Sequence, residues 1–239
     1  MPIEWSINTY KTLPSTQDTL KGMLKENATL AEGYVVLTNQ QTHGYGRHGR
    51  AWKGDTGNLY MSFLLRPSQT LANPGQIALI CGLALAQIIE RNIKSTEKLI
   101  LKWPNDVLIN NQKCAGILIE RIDDGFIVGI GVNIASVSLD HATHLNAHSE
   151  SEIKHNVFYR QFFNVLDQFY TGWLNKGFAS FRDMFINRTY PKGTHIGVNI
   201  DKHRVTGKFD NIDKDGSLIL LCDETGDLRK ITSGDVFLM

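Results

Sequence analysis

The sequence predicts an α+β protein, with a mixed β-sheet on which helices pack and a small β-barrel after it. Short segments rich in β-forming residues alternate with helical segments up to about residue 188, and short β segments split by turns follow Tyr190-Pro191. The 239 residues are 42% hydrophobic and 21% charged, a balance typical of globular proteins that bury a core. We therefore expect two domains, 1–189 and 190–239, with the smaller packed on the larger.

Seven strands are predicted in the first domain, where short runs of β-forming residues end at turn residues. They are Ile3–Tyr10, Tyr34–Asn39, Leu59–Leu65, Leu99–Trp103, Val107–Ile109, Ala115–Glu120 and Phe126–Val132. The second domain is predicted to contain four strands separated by turns, which is typical of a small β-barrel. These are His195–Ile200, Val205–Ile212, Leu218–Cys222 and Arg229–Thr232.

Three helical segments and two loops connect the strands of the first domain. Ser15 or Thr16 can cap a first helix that ends near Asn27. The second helix, Gln76–Asn92, is apolar on nearly every face and should be buried on most sides. Helical periodicity returns from about Ile153 to Arg188. We predict that the Gly-rich residues 42–58 form a long loop and that the polar segment Ala135–Ser151 is a mobile one.

Charge and cysteine content exclude several classes of protein. The 25 basic and 24 acidic residues give a net charge of +1, which offers no electrostatic reason to expect a nucleic-acid or membrane partner. No apolar run is long enough to span a bilayer, and no secretory signal is evident. Three scattered cysteines disfavour a disulfide framework or a zinc ribbon. We expect a cytoplasmic protein.

The Gly-rich segment Gly44-Tyr45-Gly46-Arg47-His48-Gly49-Arg50 matches G-x-G-x-x-G, the dinucleotide-binding pattern. That pattern requires a helix directly after the glycines, whereas residues 51–57 cannot form one. A Walker A loop is excluded because Arg50-Ala51 stands where Lys-Ser/Thr is required. Flexible backbone N–H groups beside Arg47 and Arg50 can instead bind phosphate or carboxylate oxygens. A solvated surface loop is the commoner explanation of such a composition.

Four shorter motifs also have a functional and a structural interpretation. Lys102-Trp103-Pro104-Asn105-Asp106 suits a nucleotide phosphate with its magnesium ion, although these residues alone favour a β-turn. Ser15-Thr16-Gln17 fits helix capping or binding of a polar ligand about equally well. Lys113-Cys114-Ala115-Gly116 and the strand end at Asn133 can approach a ligand or simply form a turn and a closely packed strand end.

Three histidines, His141, His144 and His148, have a spacing that would align them on one helix face. The surrounding segment has no convincing apolar face, and neither cysteine nor carboxylate completes a metal-binding pattern. We therefore favour a solvated loop over a metal site.

Taken in order, the motifs resemble the catalytic domain of biotin protein ligases. They are S-T-Q, T-N-Q-Q-T-H-G-Y-G-R-H-G-R-A-W, N-L-Y-M-S-F, K-W-P-N-D, K-C-A-G-I-L-I-E and G-I-G-V-N-I, followed near the end by S-G-D. The resemblance implies a catalytic domain with a fold like class II aminoacyl-tRNA synthetases, followed by a small C-terminal SH3-like β-barrel. It also implies the activity of an AMP-forming carbon–nitrogen ligase. Biotin would be activated by ATP to biotinyl-5′-AMP and transferred to a lysine of a biotin carboxyl carrier protein.

The resemblance also implies a role for each motif. Arg47 and Lys113 would be catalytic, acting where carboxylate and phosphate meet. Biotin would be bound by Ser15, Thr16, Gln17, Gln41, Gly44, Tyr45, Gly46, Arg47, Trp52, Lys113 and Gly116. ATP would be bound by Arg47, Arg50, Lys102, Trp103, Asn105, Asp106 and Asn133, with Asp106 near Mg²⁺, and the segment 135–148 would fold over the nucleotide.

The sequence departs from the family pattern at several places. Tyr45 stands where arginine is commonest, which removes one charge, so we expect activity with altered ordering of the loop. Gln17 replaces the familiar asparagine with a longer amide. The chain ends at Met239 with no basic residue after Lys230, so no phosphate contact is assigned to the C-terminal domain. Only about 14 residues precede the S-T motif, and we expect the monofunctional type without a DNA-binding domain, as a monomer or weak homodimer.

Two alternatives remain at this stage. A lipoate or octanoate–protein ligase would share the fold and the acylation of a lysine, although its binding-loop pattern differs from the one present. A catalytically silent biotin-binding regulatory module is the second alternative, and the presence of both Arg47 and Lys113 argues against it.

Overall fold

Two β-sheets organise the structure, a computed structural model that describes residues 3–67, 73–200 and 203–239. The first sheet contains β1 (Ser6–Tyr10), β2 (Tyr34–Thr38), β3 (Leu59–Leu65), β4 (Leu99–Lys102), β5 (Asp106–Ile109), β6 (Gln112–Ile122) and β7 (Gly125–Val132). The second contains β8 (His195–Ile200), β9 (His203–Ile212), β10 (Leu218–Cys222), β11 (Leu228–Ile231) and β12 (Asp235–Leu238). The α-helices are α1 (Thr16–Glu26), α2 (Pro74–Asn92), α3 (His155–Lys176) and α4 (Arg182–Ile186).

The first sheet is mixed, as predicted. Its strand order is β1-β2-β3-β7-β6-β5-β4, with β1 parallel to β2 and the other neighbouring strands antiparallel. The predicted strands of the first domain are confirmed with small differences at their ends. Successive side chains of a strand point to opposite faces, so the central strands β3, β7 and β6 supply residues to both faces.

One face of this sheet carries the main core, together with α2 and α3. Residues such as Leu59, Met61 and Phe63 on β3 are fully buried there. The side chain of Asn73 caps α2 by accepting hydrogen bonds from the N–H groups of its first turn, and nearly every residue from Ile77 to Ile89 is buried. This helix is buried on most sides, as its apolar sequence predicts.

The opposite face is only partly covered, by α1. The Ser15 hydroxyl caps this helix by accepting a hydrogen bond from Asp18 N at 3.2 Å. Leu20 of α1 packs against Val36 and Ile127 of the sheet in a small second core. The remainder of this face is the floor of a cavity.

The long helix predicted from Ile153 to Arg188 is wrong in extent. Helix α3 ends at Lys176, because Gly177 has φ of 69°, a conformation that ends a helix and suits glycine. A short 3-10 turn, Phe178–Ser180, and the separate helix α4 follow. The apolar periodicity continues across this break, which explains the error.

The segment Ala135–Ser151 is not the fully solvated loop that its composition suggested. Thr143 and Leu145 are buried, and Leu145–Ala147 form a 3-10 turn. The three histidines do not align on a helix face. Among the described residues, no three His, Cys, Asp or Glu side chains are grouped so that they could hold a metal ion.

The second sheet is antiparallel, with order β11-β10-β9-β8-β12. The sequence predicted four of its strands and missed β12. It packs on the rest of the chain: Trp103 Nε1 donates to Gly216 O at 3.0 Å, and Gln76 Nε2 donates to Asp215 O at 3.0 Å. We propose 1–189 and 190–239 as the domains, since the boundary falls between α4 and β8.

No helix of residues 3–67, 73–200 and 203–239 has both the length and the apolar character needed to cross a membrane.

Candidate active site

A cavity of about 270 Å³ lies on the partly covered face of the first sheet. All of the predicted site residues except Gly44 line it. Gly44 packs behind the wall, where an added Cβ would lie 2.5 Å from Gln41 Nε2. The structure therefore brings together motifs that are up to 118 positions apart, from Ser15 to Asn133.

Glycines form the floor of the cavity. Gly116 of β6 and Gly131 of β7 lie opposite each other, and the indole of Trp52 lies across both. A Cβ at Gly131 would lie 2.6 Å from Trp52 Cε2, and a Cβ at Gly116 would lie 2.7 Å from Trp52 Cζ3. Only glycine admits the ring so close to the sheet. The indole N–H of Trp52 is buried without a hydrogen-bond partner among the described residues.

Hydroxyl and amide groups line one end of the cavity. Thr16 donates from its backbone N–H to Gln41 Oε1 at 2.7 Å, and its hydroxyl lies 2.8 Å from Ser62 Oγ. Ser62 Oγ in turn donates to Gln17 Oε1 at 2.9 Å. The S-T-Q motif therefore both begins α1 and lines the cavity, which joins the two interpretations of its sequence.

The Gly-rich loop folds into a short hairpin over the cavity. Gly46 N donates to Arg50 O at 2.8 Å, and between them His48 and Gly49 have φ of 57° and 69°. This turn places the Arg47 and Arg50 side chains at the cavity. The loop is neither a dinucleotide-binding loop nor a Walker A loop, because both lead directly into a helix and the next long element here is the strand β3.

Tyr45 anchors the loop to the body of the protein. Its hydroxyl donates to Asp18 Oδ1 at 2.8 Å and accepts from Lys21 Nζ at 2.9 Å. Lys21 also pairs with Glu120 of β6 at 2.7 Å. Burial raises the pKa of Tyr45 to about 12, so its hydroxyl stays protonated and neutral at physiological pH.

Positive charge gathers at the other end of the cavity, where Arg47, Arg50, Lys102 and Lys113 meet. Lys113 Nζ lies 2.7 Å from the buried Asp106 Oδ1, in an ion pair whose angles are not those of a hydrogen bond. It also lies 4.9 Å from the centre of the Trp52 ring, a cation–π distance. Burial lowers the pKa of Lys102, although the Asp106 carboxylate acts in the opposite direction.

Asp235, at the start of β12, is the functional-site residue that sequence reasoning did not assign. Its Oδ1 accepts from Arg47 Nη1 at 2.9 Å, and its Oδ2 accepts from Arg50 Nη2 at 2.5 Å. The C-terminal sheet therefore reaches into the cavity with a negative charge, and this contact is with two arginines and not with a phosphate. The S-G-D motif was the available signal.

Other residues were missed for different reasons. Val137, Leu139 and His141 line the cavity from the segment 135–148. Of these three, the sequence analysis had named only His141, as part of a metal site that it disfavoured. Ser62 was missed although it is a polar residue in the otherwise apolar strand β3. A buried hydroxyl on the cavity face of a strand is a signal that strand alternation could have found.

The fold and the cavity define a protein of the biotin/lipoate A/B protein ligase family, whose family model matches residues 9–135. The chain belongs to this family. Its C-terminal part, residues 196–239, matches the biotin protein ligase C terminal domain.

Named relatives and solved structures agree with this assignment. The chain is 30% identical over 240 residues to the bifunctional ligase/repressor BirA of Bacillus subtilis, covering 95% of this chain and 72% of that protein. It is 32% identical to a biotin--[acetyl-CoA-carboxylase] ligase of Paracoccus denitrificans, covering 87% of this chain and 92% of that protein. The biotin protein ligase from Aquifex aeolicus in complex with biotin and ATP has a TM-score of 0.85, with 27% identity and 98% of each chain covered.

Proposed function

We propose that this protein is a biotin–[acetyl-CoA-carboxylase] ligase, which activates biotin with ATP and transfers it to a lysine of a carrier protein. The observation that carries the proposal is that one cavity joins a neutral polar end, a glycine floor under an indole, and a cluster of four cationic side chains. The neutral polar end suits the ureido ring of biotin, and the indole above the glycines suits its apolar body. The cationic cluster suits the biotin carboxylate and the phosphates of ATP.

The reaction has two steps. A carboxylate oxygen of biotin attacks the α-phosphorus of ATP, and the bond to the leaving pyrophosphate breaks to give biotinyl-5′-AMP. The neutral amine of an acceptor lysine then attacks the acyl carbon, and AMP leaves with the electron pair of the anhydride bond. Neither step needs a protein nucleophile, so the enzyme acts by positioning the reactants and stabilising charge.

At the polar end, Thr16, Gln17 and Gln41 offer the donors and acceptors that a ureido group requires. We place the biotin ring against the Trp52 indole, which Gly116 and Gly131 allow to lie close to the sheet. The remaining biotin contacts proposed from the family are those of Ser15 at this end, and of Tyr45 and Gly46 beside Arg47, where the biotin carboxylate would meet the phosphate.

At the cationic end, Arg47 and Lys113 are proposed to hold the biotin carboxylate and the α-phosphate together. Lys113 is suited to this role, because its ammonium group lines the cavity, 2.7 Å from the Asp106 carboxylate and 4.9 Å from the centre of the Trp52 ring. Arg50 and Lys102 would offset the charge of the triphosphate and Asn105 would donate a hydrogen bond to it, while Trp103 and Asn133 are proposed to contact the nucleotide. Burial lowers the pKa of Lys102, and a bound phosphate would act in the opposite direction because it favours the charged ammonium.

A magnesium ion fits this end of the cavity as a partner of the phosphates. The buried Asp106 Oδ1 pairs with Lys113 Nζ at 2.7 Å and has no other polar partner among the described residues, and Mg²⁺ is commonly held by one or two carboxylates together with substrate phosphates. Asp106 is the residue that would hold it. When bound, the ion would offset the negative charge that pyrophosphate carries away.

The experiment that tests the proposed function measures pyrophosphate release from ATP and Mg²⁺ with biotin, with lipoic acid, and with neither. We expect release only with biotin, and, after addition of a biotin carboxyl carrier domain, one biotinyl group on its acceptor lysine by mass spectrometry. Release with lipoic acid but not with biotin would show that the protein is a lipoate–protein ligase. No release with either acid would leave a binding module and contradict the proposal.

We propose a carrier domain with an exposed lysine as the partner. Oligomeric state and nucleic-acid binding are tested separately. A monomer or weak homodimer, and no nucleic-acid partner, remain predictions from the balanced charge and the edge strand β1. Sedimentation at several concentrations checks the first. Retardation of promoter DNA by the protein with its adenylate would contradict the second.

A further inference from the structure

Residues 135–148, here called the strap, cross the cavity on its nucleotide side. Val137, Leu139 and His141 in the middle of the strap line the cavity. The middle is held by hydrogen bonds from Ser138 N to Asp55 Oδ2 at 3.1 Å, from Gln112 Nε2 to Asp140 O at 3.3 Å and from Lys113 N to His141 O at 3.3 Å. In addition, a polar side chain holds each of the two ends of the strap.

Asn58 holds the first end. Its side-chain Oδ1 accepts from the N–H groups of Ile134, Ala135 and Ser136 at 2.8, 3.0 and 3.3 Å. Asn58 is itself almost fully buried, at 1% exposure, so this end is fixed to the end of the sheet.

His148 holds the other end. Its ring Nε2 lies 2.7 Å from Thr143 Oγ1, and its Nδ1 lies 3.0 Å from Glu97 Oε2 in the connection between α2 and β4. Asn110 Nδ2 donates to the same Glu97 oxygen at 2.5 Å, and the His148 backbone oxygen accepts from Lys94 N at 2.9 Å. The histidine thus joins the strap to a part of the chain that does not line the cavity.

Thr143 connects this histidine with the site. Its backbone oxygen accepts from Asn133 Nδ2 at 3.1 Å, and its N–H donates to the backbone oxygen of Lys113 at 2.9 Å. Asn133 and Lys113 both line the cavity, and Thr143 is 7% exposed. One buried threonine of the strap therefore contacts His148 and two residues of the candidate site.

We infer that His148 is a positioning residue, which acts through Thr143 to hold Asn133 and the strap where the nucleotide binds. This inference rests on the proposed function. With a proton on Nδ1, the ring faces the Glu97 carboxylate with that N–H and leaves Nε2 to accept from the Thr143 hydroxyl, so one side chain joins both groups. His148 does not touch the cavity and is not a catalytic residue.

The inference is tested with His148→Ala, Thr143→Val and the double variant in the full-length protein. We expect each single variant to raise the KM for ATP about fivefold to tenfold, as for loss of one or two buried hydrogen bonds, with biotin affinity measured without nucleotide unchanged. Because both variants break the same contact, the double variant should resemble a single one. His195→Ala, which breaks an exposed His–carboxylate pair with Asp223 at 2.8 Å, is the matched control and should behave as wild type.

Hydrogen exchange without ligand gives a readout that does not depend on activity. The N–H groups of Leu145 and Asn146 donate to Asn133 O and Ile134 O, and they should exchange faster in His148→Ala than in wild type. The inference is overturned if His148→Ala changes neither the exchange of these N–H groups nor the KM for ATP. It is also overturned if the variant weakens ATP and biotin binding equally, because a general structural defect would have that effect. A wild-type protein without biotin-dependent pyrophosphate release overturns the proposed function instead, and exchange then decides whether His148 holds the strap.

Discussion

Arg47 has the contacts expected of a residue that closes over an anion. Its Nη1 donates to Gly234 O at 3.0 Å and to Asp235 Oδ1 at 2.9 Å, and it lies 3.3 Å from Asn105 Oδ1. All three partners are oxygen acceptors, which a phosphate or carboxylate oxygen can replace. The guanidinium is therefore held near the proposed site of the mixed anhydride by groups that a ligand resembles.

We predict that Arg47→Gly releases biotinyl-5′-AMP into solution faster than wild type. Charged hydrogen bonds contribute about 1.5–3 kcal/mol each, so retention should fall roughly tenfold to a hundredfold. The measurement follows adenylate in the filtrate of a rapid separation. Arg47→Lys, which keeps the charge and loses the paired donors, should lie between the two. A variant that holds adenylate as tightly as wild type would show that Arg47 has no such role.

Tyr45 replaces the arginine commonest in this motif, and the structure gives its hydroxyl a role in anchoring the loop. We predict that Tyr45→Phe makes the empty loop more mobile, because the bonds to Asp18 and Lys21 are lost while the Lys21–Glu120 pair remains. Trypsin should then cleave after Arg47 or Arg50 several-fold faster, as detected by mass spectrometry. Tyr34→Phe, at the opposite end of β2 from the loop, is the control. Equal cleavage of both variants would contradict the anchoring role.

At the scale of secondary-structure elements, β6 and β7 contribute a floor that has no side chains where Trp52 lies. We predict that Gly131→Ala weakens biotin binding at least about tenfold, because its Cβ would lie 2.6 Å from the Trp52 ring and overpacking costs about 1–3 kcal/mol. Calorimetric titration with biotin measures this. Gly22→Ala on α1 has no heavy atom within 4 Å of its added Cβ and should bind as wild type. Wild-type affinity in Gly131→Ala would place biotin elsewhere in the cavity.

Local patterns predicted the elements of the first sheet well because their causes are local. Ser15 caps α1 with its own hydroxyl, and the Asn110-Asn111 turn between β5 and β6 uses φ of 50° and 66°, which asparagine tolerates. The resemblance then gathered distant motifs into one site. That step came from their order along the chain and not from any single pattern.

The errors have long-range causes. Helix α3 ends at Gly177 although apolar periodicity continues, because the chain turns there to pack α4 against its neighbours. Thr143 and Leu145 are buried by contacts with Asn133 from the sheet, which their own polar segment does not reveal. Asp235 entered the site because β12 pairs with β8 and so lies beside the Gly-rich loop. Only the tertiary fold could show these contacts.

At the scale of the whole molecule, the two sheets meet at the cavity through one carboxylate. Asp235 offers its two oxygens to Arg47 and Arg50, the two guanidinium groups that we propose to bind the phosphates. The Asp235 carboxylate therefore occupies a position that suits an anionic ligand. It offsets the positive charge of the two arginines of the first domain. A triphosphate must compete with this carboxylate for the same donors.

We predict that Asp235→Asn lowers the KM for ATP about twofold to fivefold, because removing a partly exposed ion pair of up to about 1 kcal/mol frees both arginines for the nucleotide. The decrease should be largest at low salt, where screening of the remaining charges is weakest. Initial rates of biotin-dependent pyrophosphate release at several ATP and salt concentrations measure it. Asp213→Asn removes an exposed pair with Lys230 in the same sheet and should leave the KM for ATP unchanged. A higher KM for ATP in Asp235→Asn would mean that the carboxylate orients Arg47 for the nucleotide, so that the C-terminal sheet completes the site and does not compete for it.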